Sequence, residues 1–200
     1  MDHPLQCRCG KLKGYVSQPG SVNRAVCYCR DCQAFAHFLG RATEILDSKG
    51  GSDVVQTTPA RVTLTNGMEM LACMRLTPNG LMRWYAKCCN TPIGNTLGNF
   101  KVSFVGLIHS CLDNGETSLD ESFGPVRMWV NTKAAKGEVR SSPLAAMGGV
   151  TRILGMLLRA RLNGSYKRTA FFSSQSGAPV ATPKVLSREE RDRLMQAVAG

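Results

Sequence analysis

Cys27-Tyr28-Cys29-Arg30-Asp31-Cys32 places three thiols within six residues. Zinc holds thiolate sulfur at about 2.3 Å in a tetrahedron, so this segment can fill three corners and leave the fourth open. An open corner is what chemistry on a bound ligand needs. Working outward, Cys7-Arg8-Cys9-Gly10 stands upstream, a close pair followed by a glycine that eases a tight turn. Downstream stands Cys88-Cys89-Asn90-Thr91-Pro92. Close pairs on tight turns deliver two ligands at once, because the backbone between them is already short.

Whether such clusters are metal sites or disulfides depends on compartment. The first ten residues, Met1 to Gly10, lack the basic start, apolar stretch and cleavage site of a secretory signal, so the chain reads as cytoplasmic. In a reducing compartment clustered thiols read as metal ligands or reactive groups, and the odd total of nine cysteines agrees. A redox pair of Cys29 and Cys32 is the alternative, but it leaves Cys27 unexplained, whereas a metal uses all three. Cys73 and Cys111 stand alone among apolar residues and read as core. The chain carries no nucleophile elbow, P-loop or His-Glu-x-x-His motif, and the trio lacks the His-x-Glu partner of zinc deaminases. Glu44 and Asp47 follow the trio closely but read as surface carboxylates.

With 200 residues, 43% hydrophobic and 20% charged, the chain has the composition of a globular domain and can bury a core without crosslinks. Its longest apolar stretch, residues 144–158, is broken by Arg152 and three glycines, so no membrane span is expected. The net charge is +11, and from Lys133 to Arg168 there are eight cations against one acid, Glu138. Such a balance attracts polyanions or anionic small molecules. Aromatics are only 6% and are not interleaved with the cations, which argues against nucleic acid.

Residues 5–130 read as short strands separated by glycine, proline and asparagine: 12–16, 25–28, 53–57, 61–66, 68–74, 81–85, 101–107 and 126–130. Thr65-Asn66-Gly67-Met68 reads as a turn, so local hairpins are expected. A short helix is expected over 30–39 from the spacing of Phe35, Phe38 and Leu39. Pro143 opens a second, with Leu144, Met147, Val150, Ile153, Leu154, Leu157 and Leu158 at helical intervals, expected to pack on the β part. Ser187-Arg188-Glu189-Glu190 is a capping box for a last helix. This divides the chain into a zinc-binding β domain, 1–132, and a basic, partly helical C-terminal extension, 133–200, packing on it.

The three motifs in this order resemble those of the glutathione-dependent formaldehyde-activating enzyme family, whose domain is shared with centromere protein V. That family has Cys-x-Cys-Gly, then Cys-x-Cys-x-x-Cys, then Cys-x-x-Cys-Gly-Thr-Pro. The counterparts here are Cys7-Arg8-Cys9-Gly10, Cys27-Tyr28-Cys29-Arg30-Asp31-Cys32 and Cys89-Asn90-Thr91-Pro92, and the likeness covers residues 5–130. It implies a mainly β fold, a tent-like arrangement of short antiparallel sheets around two Zn2+ sites. Cys7 and Cys9 would join the late cysteines in a structural site. Cys27, Cys29 and Cys32 would form a catalytic site entered by glutathione or a related thiol, with a carbon-sulfur lyase activity on a glutathione-aldehyde adduct. Positive side chains such as Arg30 or Arg83 would draw the anionic tripeptide.

The chain departs from the pattern at one place: Ala86 stands where the other late cysteine belongs, and Cys88 lies beside Cys89. Neighbours in an extended chain point opposite ways, so either Cys88 or Cys89 is expected as the ligand. His3 is a candidate replacement or else a loose terminal residue; His37 and His109 read as packed side chains. The competing function is a non-catalytic zinc-stabilised module whose basic part binds an acidic partner or nucleic acid.

Overall fold

Strands form where apolar and β-branched residues run for four to six positions between turn residues. The computed structural model describes residues 1–113, 115 and 117–199. Its first strands are β1 (His3–Gln6), β2 (Lys13–Val16) and β3 (Asn23–Cys27), followed by helices α1 (Arg30–Phe38) and α2 (Ala42–Ile45). Six strands follow: β4 (Ser52–Thr57), β5 (Val62–Asn66), β6 (Leu71–Arg75), β7 (Met82–Ala86), β8 (Thr91–Thr96) and β9 (Val105–Ile108). The chain ends with α3 (Leu119–Phe123), β10 (Met128–Val130), α4 (Pro143–Leu162), β11 (Lys184–Val185) and α5 (Arg188–Ala199). The protein is mainly β, as expected, with a helix near its C-terminus. No helix among the described residues is long and apolar enough to cross a membrane.

The strands make two sheets. One has three strands, ordered β1-β2-β5, and the other eight, ordered β10-β3-β4-β9-β8-β7-β6-β11. Pairing is antiparallel except at the two edges of the large sheet, where β10 joins β3 and β11 joins β6 in parallel. The sheet is therefore mixed, not wholly antiparallel, because the late chain returns to cover each exposed edge. The expected local hairpin at Thr65 to Met68 does not form. Gly67 turns the chain with φ of 73°, but β5 pairs with β2 and β6 with β7. A Cβ on Gly67 would lie 2.2 Å from the Lys11 carbonyl oxygen, so this glycine lets the turn sit against the β1–β2 connection. The turn carries the chain from one sheet to the other.

The core lies against β7 and β8. Trp84 is fully buried and its indole N–H donates to Thr96 Oγ1 at 2.9 Å. Its ring meets Phe171 and Phe172 at centroid distances of 5.3 and 6.0 Å, so the loop after α4 helps close the core. A second cluster joins Phe35, Leu39 and Ile45 to Val198 of α5. The capping box of α5 forms as read: Glu190 N–H donates to Ser187 Oγ at 3.1 Å and Ser187 N–H to Glu190 Oε2 at 2.9 Å.

Arg24 is buried between Asp53, at 2.6 Å, and Asp120. Removing one partner strands a buried charge, so Asp53→Ala is expected to cost about 3 kcal/mol, read as a shifted urea midpoint. An unchanged midpoint would show that solvent already screens the pair.

Helix α4 meets β3, β4 and β10. Its buried residues are Gly149 and Ala160, whereas Leu144, Met147, Leu154, Leu158 and Leu162 are exposed, Leu144 at 75%. The helix rests on the β part through its small residues and turns much of its leucine face outward.

Candidate metal centres

The β1–β2 connection carries Cys7 and Cys9. It closes tightly because Gly10, at φ 71°, donates to the Cys7 carbonyl at 2.8 Å. The Cys7 sulfur also accepts from Leu12 N–H at 3.3 Å. Cys88 and Cys89 lie in the four-residue turn, 87–90, that joins β7 to β8, with Asn90 at φ 53°. A turn is not an extended chain, and here both sulfurs reach the same side. The expected choice between Cys88 and Cys89 therefore does not arise.

The four ligand atoms lie within 4.8 Å of one another. Cys7–Cys9 is 3.6 Å, Cys7–Cys88 3.8 Å, Cys9–Cys88 3.4 Å and Cys88–Cys89 3.8 Å. Sulfurs at about 2.3 Å from a central ion stand about 3.8 Å apart along a tetrahedral edge. A disulfide would require about 2.0 Å. The four sulfurs thus fit a metal ion, and the cluster ties the three-stranded sheet to the eight-stranded one.

The second centre is local to one segment. Cys27 ends β3, Cys29 caps α1, and Cys32 lies in its first turn, where its N–H donates to Cys29 Sγ at 3.3 Å. The sulfurs of Cys29 and Cys32 are 3.1 Å apart and those of Cys32 and Cys27 3.8 Å. Among the described residues no fourth Cys, His, Asp or Glu joins this group. Donors surround it: Asn131 Nδ2 reaches Cys27 Sγ at 3.3 Å and Arg83 Nη1 lies 3.9 Å from Cys32 Sγ. The N-terminus of α1 also favours negative charge there.

Hydrogen bonds and burial together set the protonation of these thiols. Bonds from Cys29 and Cys32 pull Cys27 down to about 2. Their bonds to Cys27 in turn raise Cys29 and Cys32 above the ordinary thiol value. Burial, the largest influence on Cys89, opposes its ionisation, but bonds from Thr91, Cys9 and Cys7 bring it to about 6. Thr91 Oγ1 accepts from Arg8 N–H and Arg41 Nη1, each at 3.0 Å, which directs its own proton to Cys89 Sγ at 3.1 Å. Burial raises Cys7 and Cys88.

A cation entering the trio must displace protons from Cys29 and Cys32. Both thiols are protonated below their raised pKa values, so affinity falls as pH falls. The expected slope is about a hundredfold per pH unit for two protons, measured between about pH 6 and 8 by competition with a chromophoric chelator. A flat profile would contradict two protonated ligands.

Other sequence candidates fall elsewhere. His3 is neither a ligand nor loose: it is buried in β1, with Nδ1 at 2.8 Å from Ser122 Oγ and Nε2 at 2.7 Å from the Leu112 carbonyl. Cys73 and Cys111 are core residues, as read, and burial lifts Cys73 to about 12. Arg83 is 1% exposed, held at 3.3 Å from Asn95 Oδ1, and so cannot greet an incoming anion; Arg30 remains exposed. Glu44 pairs with Arg41 at 2.5 Å, and Asp47 takes the N–H groups of Lys49 and Gly51. Sequence reading missed Asn131. Its only signal is an asparagine just beyond a strand, which cannot be told from an ordinary turn.

The fold and these clusters define a mainly β protein with two cysteine groups, one of four sulfurs and one of three, each able to hold a metal ion. The chain belongs to a family of unknown function, DUF6151, whose sequence model matches residues 2–183. No curated protein matches it. Among solved structures it is similar to a crystal structure of a Rhodobacter sphaeroides protein, at 17% identity and a TM-score of 0.41, over 64% of this chain and 99% of that one.

Proposed function

We propose that this protein binds two zinc ions, one structural at Cys7, Cys9, Cys88 and Cys89, and one at Cys27, Cys29 and Cys32 that accepts a glutathione-like thiol. The reading rests on one contrast: the first centre has four sulfurs and the second three. Zinc prefers four ligands, so a three-sulfur centre leaves a position for an exogenous one. When bound there, zinc lowers the pKa of a thiol and keeps it as a thiolate able to attack an aldehyde carbon. The chemistry would be that of the glutathione-dependent formaldehyde-activating enzymes, which the order of the cysteine motifs resembles. A sulfur-carbon bond forms, the carbonyl π bond opens, and the thiol proton ends on the new hydroxyl, with no change of oxidation state.

The chain's own groups support this role. Buried Arg83 places positive charge beside the trio, and the Asn131 amide holds Cys27. Exposed Arg30, next to Cys29, offers a partner for a peptide carboxylate.

Cobalt substitution tests the reading, because its visible spectrum reports ligand exchange. Adding glutathione to the cobalt-loaded protein is expected to change the visible bands, and Cys29→Ser to remove the response. No change in the unaltered protein would contradict thiol entry. Formation of S-hydroxymethylglutathione from glutathione and formaldehyde then tests the specific reaction.

A further inference from the structure

Separate from both cysteine centres, α4 lies along segments 17–22 and 58–61, and a cleft of about 950 Å³ opens between them. Four guanidinium groups line it. Arg61 comes from the turn before β5, Arg152 and Arg159 stand two turns apart on one side of α4, and Arg168 follows that helix. No Asp or Glu lines the cleft. Among the described residues none of the four arginines has a carboxylate partner. Arg61 is half-buried, while Arg152, Arg159 and Arg168 are exposed along the cleft; buried Arg24, by contrast, is paired with Asp53.

Gathering like charges without a counterion is unfavourable, and Arg61 has Arg159 as a like-charged neighbour. Burial and the neighbouring charge of Arg159 both lower its pKa. Its Nη1 is fixed by the carbonyls of Ser21 and Gln18. Planar guanidinium forks match the oxygens of a phosphoryl group, and four of them exceed what a single carboxylate needs. The cleft volume is that of a small-molecule site, about 300–1,000 Å³. Val22 and Met156 give it an apolar wall for an organic portion. No Phe, Tyr or Trp lines it, so the stacking platforms of single-strand binders are missing.

We infer that this cleft binds a phosphorylated small molecule, with Arg61, Arg152, Arg159 and Arg168 holding its phosphoryl oxygens. The test is calorimetric titration of inorganic pyrophosphate into the zinc-loaded full chain at about 0.15 M salt, where surface attraction is largely screened. Saturable one-site binding is expected, weakened about tenfold or more by Arg159→Gln and by Arg168→Gln. Arg161→Gln is the control, since that guanidinium lies outside the cleft, 4.6 Å from the Tyr166 ring centroid. It is expected to leave binding unchanged. Thermal melts establish that each variant is folded, and heat from stripping zinc would persist in all of them. Absence of saturable binding, or equal weakening by Arg161→Gln, overturns the assignment. So does binding of an oligonucleotide or of anionic phospholipid vesicles without binding of pyrophosphate.

Discussion

Cys7→Ser is expected to lower the melting temperature by on the order of 10 °C, or to leave the chain unfolded when metal is withheld. Cys7 is buried in the β1–β2 connection, while Cys88 and Cys89 lie in the β7–β8 turn, 81 residues away for Cys88. A metal shared among them joins two sheets that the backbone connects only through loops. Structural zinc contributes roughly 10–16 kcal/mol of apparent binding energy to folding, against a net stability of about 5–15 kcal/mol for a whole domain. Losing one of four ligands removes enough to matter. Differential scanning calorimetry of the variant beside the parent protein reads the effect. A melt within about 2 °C of the parent would show that the sheets hold together without the cluster.

Cys29→Ser is expected to do the reverse: little change in melting, but loss of one metal ion and of all thiol binding. Cys27, Cys29 and Cys32 lie in one strand-to-helix segment, so their metal joins nothing distant. The segment is also held without it. Gln33 Nε2 donates to the Tyr28 and Ala134 carbonyls at 2.8 and 3.0 Å, and β3 is paired on both sides. Metal analysis with a parallel melt separates the outcomes. If Cys29→Ser unfolds the protein as readily as Cys7→Ser, both centres are structural and the proposed thiol chemistry loses its ground.

The trio was legible because its ligands are close in sequence; spacing alone brings three sulfurs together. The four-sulfur centre was harder to read, since it depends on two turns from different sheets meeting. The motif pointed to Cys7, Cys9 and a late cysteine, but the pairing of Cys88 with Cys89 needed the turn at 87–90, where the chain is not extended. Strand β8 escaped the sequence reading altogether. Thr91-Pro92-Ile93-Gly94-Asn95-Thr96 has the residues of a loop, yet every one is buried at the centre of the large sheet. Pro92 is tolerated because it lies where the ladder already shifts register, and Gly94 because a Cβ there would lie 2.9 Å from the Gly106 carbonyl oxygen. For α4 the periodicity was right about the helix and silent about its seating. Leucines at helical intervals do not say which side faces inward when Gly149 and Ala160 permit a closer approach.

Direct metal analysis of protein purified without chelator tests the central claim. The account predicts two zinc ions per chain, falling to one in Cys29→Ser with the fold intact. One ion or fewer in the unaltered protein, or a metal other than zinc at both centres, would contradict it.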